Sequence, residues 1–276
     1  MPPLYQRKIG DILTVAPTAE INNRILFLNK RAFVTAPFDI RGEFIMSDIK
    51  NRIEKVLNSL ENVYHNEKNH DRLLSQIRHE EPLDGLILTI LSQNTNDKNR
   101  DAAFTNLKSK WNDWESIARL DCGELADCIR TAGLSSIKSE RIIYILKKIN
   151  CDFGEYSLKD LKNKDIDYVR EYLSSLPGVG AKTIACVMLF DLGLPSFPVD
   201  THISRVCKRL SFVPQSSKKN ITPEEISIFM ENNVPKERYL GSHVNIIEHG
   251  RNTCKAQKPN CKICAIKDYC QFLTLE

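Results

Sequence analysis

No stretch of this 276-residue chain stays apolar for the roughly 18 residues that a membrane-spanning helix needs. The two most apolar runs, Leu86–Leu91 and Ile184–Phe190, have the length of core segments. Charge of one sign is also scarce: the formal net charge is only +4, which permits a nucleic-acid partner without arguing for one. No basic n-region, apolar h-region and small-residue cleavage site stands at the N-terminus, so no secretory signal is read there. The acids Asp11, Glu20, Asp39 and Glu43 count against a mitochondrial transit peptide. No fixed-period repeat and, after residue 46, no alternating β pattern is found. With 42% apolar and 27% charged residues, collagen-like, mucin-like and wholly disordered chains are excluded. The nine cysteines are an odd number in a chain without a secretory signal. A reducing, intracellular setting is therefore expected, in cytoplasm, nucleoid or nucleus, rather than a disulfide framework.

What is present is a succession of helical patterns. Residues 1–45, with Pro2, Pro3, Pro17 and Pro37, read as a poorly ordered extension, and a start at Met46 would suit the helix beyond it. Asp48–Tyr64 places Ile49, Ile53, Val56, Leu57, Leu60 and Val63 at amphipathic spacing. Helices are predicted over Pro82–Ser92, Asp97–Trp111, Asp113–Leu120, Cys122–Ala132 and Ser136–Asn150, the last with Lys138, Arg141, Lys147 and Lys148 on its polar face. Further helices are predicted over Val169–Leu176, Ala181–Leu192, Thr201–Phe212, Thr222–Asn233 and Glu237–Gly250. The reading is all-α and two-lobed. Residues 76–196 form one lobe, and residues 46–75 with 197–276 form the other.

Leu176-Pro-Gly-Val-Gly-Ala-Lys-Thr183 joins two of these helices through a turn with two glycines. Such a turn can present backbone N–H groups beside a helix N-terminus, a site for a phosphate oxygen. The plainer reading is a tight turn between packed helices. Lys182 falls in the first turn of the next helix, where the macrodipole disfavours a cation. Dipole and partial desolvation would destabilise its ammonium and free the amine as a nucleophile toward a sugar C1′. The plainer reading is a solvated lysine. Asp200 precedes the next helix and reads first as an N-cap. A carboxylate there could also steady an oxocarbenium-like sugar, and both roles can hold together.

Four cysteines crowd the C-terminus as Cys254-x6-Cys261-x2-Cys264-x5-Cys270. Four thiolates can hold zinc or a [4Fe–4S] cluster. A single x2 step flanked by x6 and x5 suits a cluster better than two chelate knuckles. Lys255 and Lys258 lie in the six-residue loop between the first two, within a segment that carries three excess positive charges. They are candidate phosphate contacts.

Together these motifs resemble the endonuclease III family of DNA glycosylases, in the helix-hairpin-helix superfamily. The residues that carry the resemblance are the Leu-Pro-Gly-Val-Gly-Ala-Lys-Thr turn, Val199-Asp-Thr-His-Ile-Ser-Arg-Val-Cys207, His249-Gly-Arg-Asn-Thr-Cys254 and the cysteine spacing. By that resemblance Lys182 is a Schiff-base nucleophile and Asp200 the catalytic carboxylate. Cys254, Cys261, Cys264 and Cys270 are ligands of a [4Fe–4S] cluster. Leu134 is an apolar wedge for the gap left by an extruded base, and Gly178, Val179 and Gly180 form a phosphate-binding hairpin. Bacterial members read Leu-Ser-Ala-Gln-Ala-Thr-Asp where this chain has Leu91-Ser-Gln-Asn-Thr-Asn-Asp97. Asn94, with Gln93 before it, therefore stands where the family fills the vacated helix, and Gln93-Asn94-Thr95 also echoes adenine glycosylases. A helix cap is the plainer role for Asn94. The resemblance implies a monomeric bifunctional glycosylase and abasic-site lyase acting on oxidised pyrimidines in double-stranded DNA, with no membrane partner. The rivals are a monofunctional glycosylase for mispaired adenine, thymine or uracil, and a non-catalytic DNA-binding protein. His202 and His249 are expected to be structural.

Overall fold

The computed structural model describes residues 40–64, 79–213 and 221–272, with side chains from Asp48 onward. The expected extension therefore lies outside the described residues as far as residue 39. The first helix, α1, runs from Ile40 to Tyr64, so helix begins ahead of Met46, where the sequence pattern placed its boundary. Residues 1–46 and 47–276 cluster as separate units, and both hydrophobic cores lie within the second.

Among the described residues ten more α-helices succeed it: α2 (Pro82–Ser92), α3 (Asp97–Lys110), α4 (Trp114–Ala118), α5 (Cys122–Cys128), α6 (Ser135–Phe153), α7 (Ile166–Ser174), α8 (Ala181–Cys186), α9 (Thr201–Arg209), α10 (Pro223–Asn233) and α11 (Tyr239–Asn252). Most are started by an oxygen-bearing side chain that satisfies a first-turn N–H. Glu81, Asn96, Asp113, Asp121, Asp165 and Asp200 each cap this way. Thr222 and Glu225 form a reciprocal capping box. Two helices of the first core depart from the rule. α6 starts at Leu134 in a left-handed conformation, and α8 starts at Gly180, neither with a side-chain cap.

Two separate hydrophobic cores organise these helices. One gathers residues between Leu83 and Leu192, including Leu86, Ile90, Leu107, Ile145 and Val187. The other joins Ile53, Val56, Leu57 and Leu60 of α1 to residues between Phe197 and Ile266. Each fully buried aliphatic side chain contributes about 1.5–3 kcal/mol of transfer free energy. Ion pairs cross from one group of helices to the other. Arg251 of α11 reaches Asp97 at the head of α3 (3.2 Å) and Arg170 of α7 reaches Glu231 of α10 (3.1 Å).

The predicted helix Ala181–Leu192 is corrected. Regular α backbone ends at Cys186, and Val187–Leu192 widens to π-helical geometry, closing on Gly193 with φ of 68°. The wider turn carries Asp191 inward, where its carboxylate meets His79 Nδ1 at 2.8 Å. Burial pushes the Asp191 carboxyl up, and the hydrogen bond to Asp191 raises the His79 imidazole. Gly85 of α2 passes so close that a Cβ there would lie 2.1 Å from the Asp191 carboxylate.

Lys138 is a second correction. It belongs to the α6 sequence face that carries Arg141, Lys147 and Lys148, yet it is 1% exposed. Three backbone carbonyls accept from its Nζ, and this solvation by protein oxygens is what lets the charge leave water.

Candidate active site

Leu173 and Leu176, at the end of α7, anchor the approach to the glycine turn in the first core. Gly178 takes φ of 75°, which disfavours any residue with a Cβ there, while the Arg141 side chain that such a Cβ would meet at 2.8 Å is long enough to move aside. Val179 turns its side chain into the core and donates its N–H to the Leu176 carbonyl (3.2 Å). It shapes the turn from within. The donors without an acceptor inside α8 are those of its first turn, beginning after Gly180. Gln93 donates its amide to the Gly178 carbonyl at 3.0 Å, so its side chain ties the α2–α3 loop to the hairpin.

Lys182 is exposed one residue into α8, and no ion pair or side-chain hydrogen bond holds it among the described residues. Asp200 is half-buried and accepts from the Ile203 N–H at 2.8 Å, which makes it the N-cap of α9. Glu231 fixes the segment that delivers Asp200. Its carboxylate accepts from Phe197 N (2.9 Å), Ser196 Oγ (3.0 Å) and Arg170.

The charges of Lys182 and Asp200 act on the same two buried groups. Burial lifts the Cys186 thiol to about 12, with Lys182 opposing and Asp200 adding. Burial holds the His243 imidazole down to about 4, and there Asp200 and Lys182 again act in opposite directions. His243 packs edge-on against Phe190 (ring centroids 5.2 Å apart) and stands 3.0 Å from the Pro198 carbonyl through Nδ1. A carbonyl only accepts, so Nδ1 carries the proton, and the neutral ring braces the peptide two residues before Asp200. Sequence reasoning gave His243, Glu231 and Lys138 no part. A lone histidine, glutamate or lysine at helical spacing carries no local signal of its partners.

Asn94 and Leu134 are exposed and both left-handed, with φ of 54° and 49°. Asn94 does not start α3, whose N-cap is Asn96. It follows Gln93, the C-cap of α2, in the left-handed conformation that often closes a helix, so a helix-end role stands beside the filler one.

Cys254, Cys261, Cys264 and Cys270 line one cavity, with Arg209 and Phe272 on its wall. Arg209 points at Cys254 Sγ (3.2 Å) and holds the Lys255 and Ala256 carbonyls, which pins the loop carrying exposed Lys255 and Lys258. Burial raises the Cys264 thiol, and the neighbouring Cys254, Cys270 and Cys261 raise it further. Among the described residues no three metal-ligating side chains close around a single point as one ion requires. The four thiols share one cavity without converging on a single point.

Residues 87–232 match the family model for the HhH-GPD superfamily base excision DNA repair protein. The chain belongs to that superfamily. It is an endonuclease III-like DNA glycosylase. The endonuclease III of Sulfolobus acidocaldarius is 36% identical over 68% of this chain and 80% of its own length. That of Escherichia coli K12 is 30% identical over 74% and 90%. A solved structure of a trapped endonuclease III–DNA covalent intermediate aligns with a TM-score of 0.67 at 27% identity, covering 82% of this glycosylase and 97% of that chain.

Proposed function

We propose that this glycosylase is bifunctional, releasing oxidised pyrimidines through a Lys182 Schiff base and then cutting the strand 3′ to the abasic site. The observation that carries the reading is a lysine exposed in the first turn of α8, behind the glycine turn and held by no ion pair or side-chain hydrogen bond among the described residues, together with a half-buried carboxylate that caps α9. The trapped covalent complex of a similar endonuclease III supports the covalent route.

The target nucleotide is turned out of the duplex, because its C1′ cannot be reached inside the stack. Leu134 and Asn94 fill the space it leaves. First-turn N–H groups of α8 hold a phosphate, and Lys255 and Lys258 hold others. The neutral Lys182 amine attacks C1′ while the glycosidic bond breaks, and the base leaves with the bonding pair and gains a proton. Asp200 stabilises the positive charge that develops on the sugar and receives the proton shed by the amine. Opening of the sugar ring gives the Schiff base. Loss of a C2′ proton expels the 3′ phosphate, and water releases Lys182.

Cys254, Cys261, Cys264 and Cys270 are proposed to hold a [4Fe–4S] cluster. Its contribution when bound is a rigid cross-link of the basic loop. Borohydride added during reaction with duplex containing thymine glycol should give a covalent protein–DNA adduct. Lys182→Ala should abolish the adduct and lower single-turnover base release by on the order of 10³-fold. Base release by Lys182→Ala at the wild-type rate would overturn the proposal in favour of a water-using glycosylase.

A further inference from the structure

The ammonium of Lys138 lies at a junction between two loops, away from Lys182 and Asp200 in the chain. Nζ stands 2.8 Å from each of the Leu91, Gln93 and Ala132 carbonyl oxygens. A neutral amine has two N–H donors and an ammonium three, so three acceptors at this distance favour the charged form against burial, which lowers the lysine's pKa. The acceptors come from two chain segments. Leu91 and Gln93 end α2, one residue before left-handed Asn94. Ala132 ends the short 3₁₀ turn Arg130–Ala132, two residues before left-handed Leu134. The backbone N–H of Lys138 also donates to the Leu134 carbonyl at 3.0 Å. One residue therefore grips both segments and the first turn of α6.

Left-handed backbone is unfavourable for leucine, whereas asparagine adopts it readily. Such a conformation persists only where surrounding contacts over-determine it. At Leu134 no side-chain cap supplies that constraint. Lys138 does, because carbonyls on either loop lose a charged donor if that loop relaxes.

We propose that Lys138 is a positioning residue that clamps the Asn94 and Leu134 loops together, so that both side chains enter the duplex as one unit. The inference rests on the reading of these two residues as fillers of the vacated helix position. Binding strength along the phosphates does not depend on the clamp. What depends on it is the fraction of bound complexes in which the fillers are inserted.

The test uses a duplex with a tetrahydrofuran abasic analogue opposite 2-aminopurine, whose fluorescence reports how that base is stacked. The wild-type protein at saturation should change the fluorescence, and Leu134→Ala should reduce the change. Lys138→Met keeps the side-chain length and removes every donor. It should bind the duplex within about threefold of wild type yet give a fluorescence change about tenfold weaker. Leu161→Ala, a truncation in the same core outside both loops, controls for lost stability and should keep the full change. If Lys138→Met does not fold, Lys138→Gln, with two donors left, carries the test and should give an intermediate change. A full wild-type change from the folded lysine variant, or an equal loss in Leu161→Ala, overturns the clamp. No change from the wild-type protein itself would instead sink the filler reading.

Discussion

The hairpin mouth and the cysteine loop are both short, irregular and basic, yet they are held in opposite ways. Around the hairpin, Leu173, Leu176, Val179, Ile184, Val187 and Met188 are all buried, so apolar packing fixes the backbone from beneath. Between Cys254 and Phe272 only Ile266 is buried. The loop is tied instead by polar threads: Arg52 to the Leu210 and Tyr269 carbonyls, Arg209 to Lys255 and Ala256, and Asn260 N–H to Thr253. The first region folds on its own core and can leave Lys182 free. The second has four thiols where a core would be, and its order should depend on what those thiols hold.

The largest effect that tests this contrast belongs to the mouth. Asn caps a helix about as well as Asp. Asp200→Asn should therefore leave melting within about 3 °C of wild type while base release slows by on the order of 10³-fold. Asp200→Ala should show the same slowing and lose about 1 kcal/mol of stability as well. If Asp200→Asn melted early and reacted at the normal rate, Asp200 would be a cap alone. The cysteine loop should behave in reverse. Cys264→Ser should lose the iron absorbance and about 10 °C of melting temperature, the shift that roughly 3 kcal/mol produces in a chain of this size. Amide exchange should rise across residues 254–272 and stay protected across 82–192. Retained melting in an iron-free protein would show that the polar threads suffice.

Much of this contrast was legible in the sequence, because its signals are local. Cysteine spacing, Pro-Gly-Val-Gly, the cap positions and helical periodicity each report on residues within a turn or two of one another. The illegible part is long-range. Lys138 reads as a surface lysine until the Leu91 carbonyl, 47 positions away, is brought beside it. The turn at Val187–Leu192 reads as α-helix because nothing local reveals that Asp191 faces inward to meet His79, 112 positions away. Nothing local reveals that Gln93, expected at a DNA contact, gives its amide to the Gly178 carbonyl.

Gly85→Ala tests the packed side at intermediate size. Its methyl would fall 2.1 Å from the Asp191 carboxylate, so the His79–Asp191 pair must shift or break. A loss of about 2 kcal/mol in urea unfolding is expected, as for other overpacked cores. An unchanged midpoint would mean that the π-helical turn yields freely.

The smallest effect separates the support of Asp200 from Asp200 itself. His243 is neutral in the folded protein, with a pKa held by burial to about 4 against an ordinary 6.5. Its surroundings include Asp200, which favours the charged ring, and Lys182 and Arg251, which oppose it. Below pH 6.5 the unfolded chain takes up a proton that the folded chain refuses, so stability falls as pH drops and the loss is complete near pH 4. Above pH 6.5 this contribution is present in full. His243→Asn keeps an N–H donor toward the Pro198 carbonyl and removes the titration. The difference in unfolding free energy between wild type and variant should therefore be flat from pH 7 to 8 and move by about 1 kcal/mol in the variant's favour by pH 5.5. A difference that stays constant to pH 4.5 would mean that the ring accepts a proton in place, and that the peptide before Asp200 is braced by Glu231 rather than by a neutral imidazole.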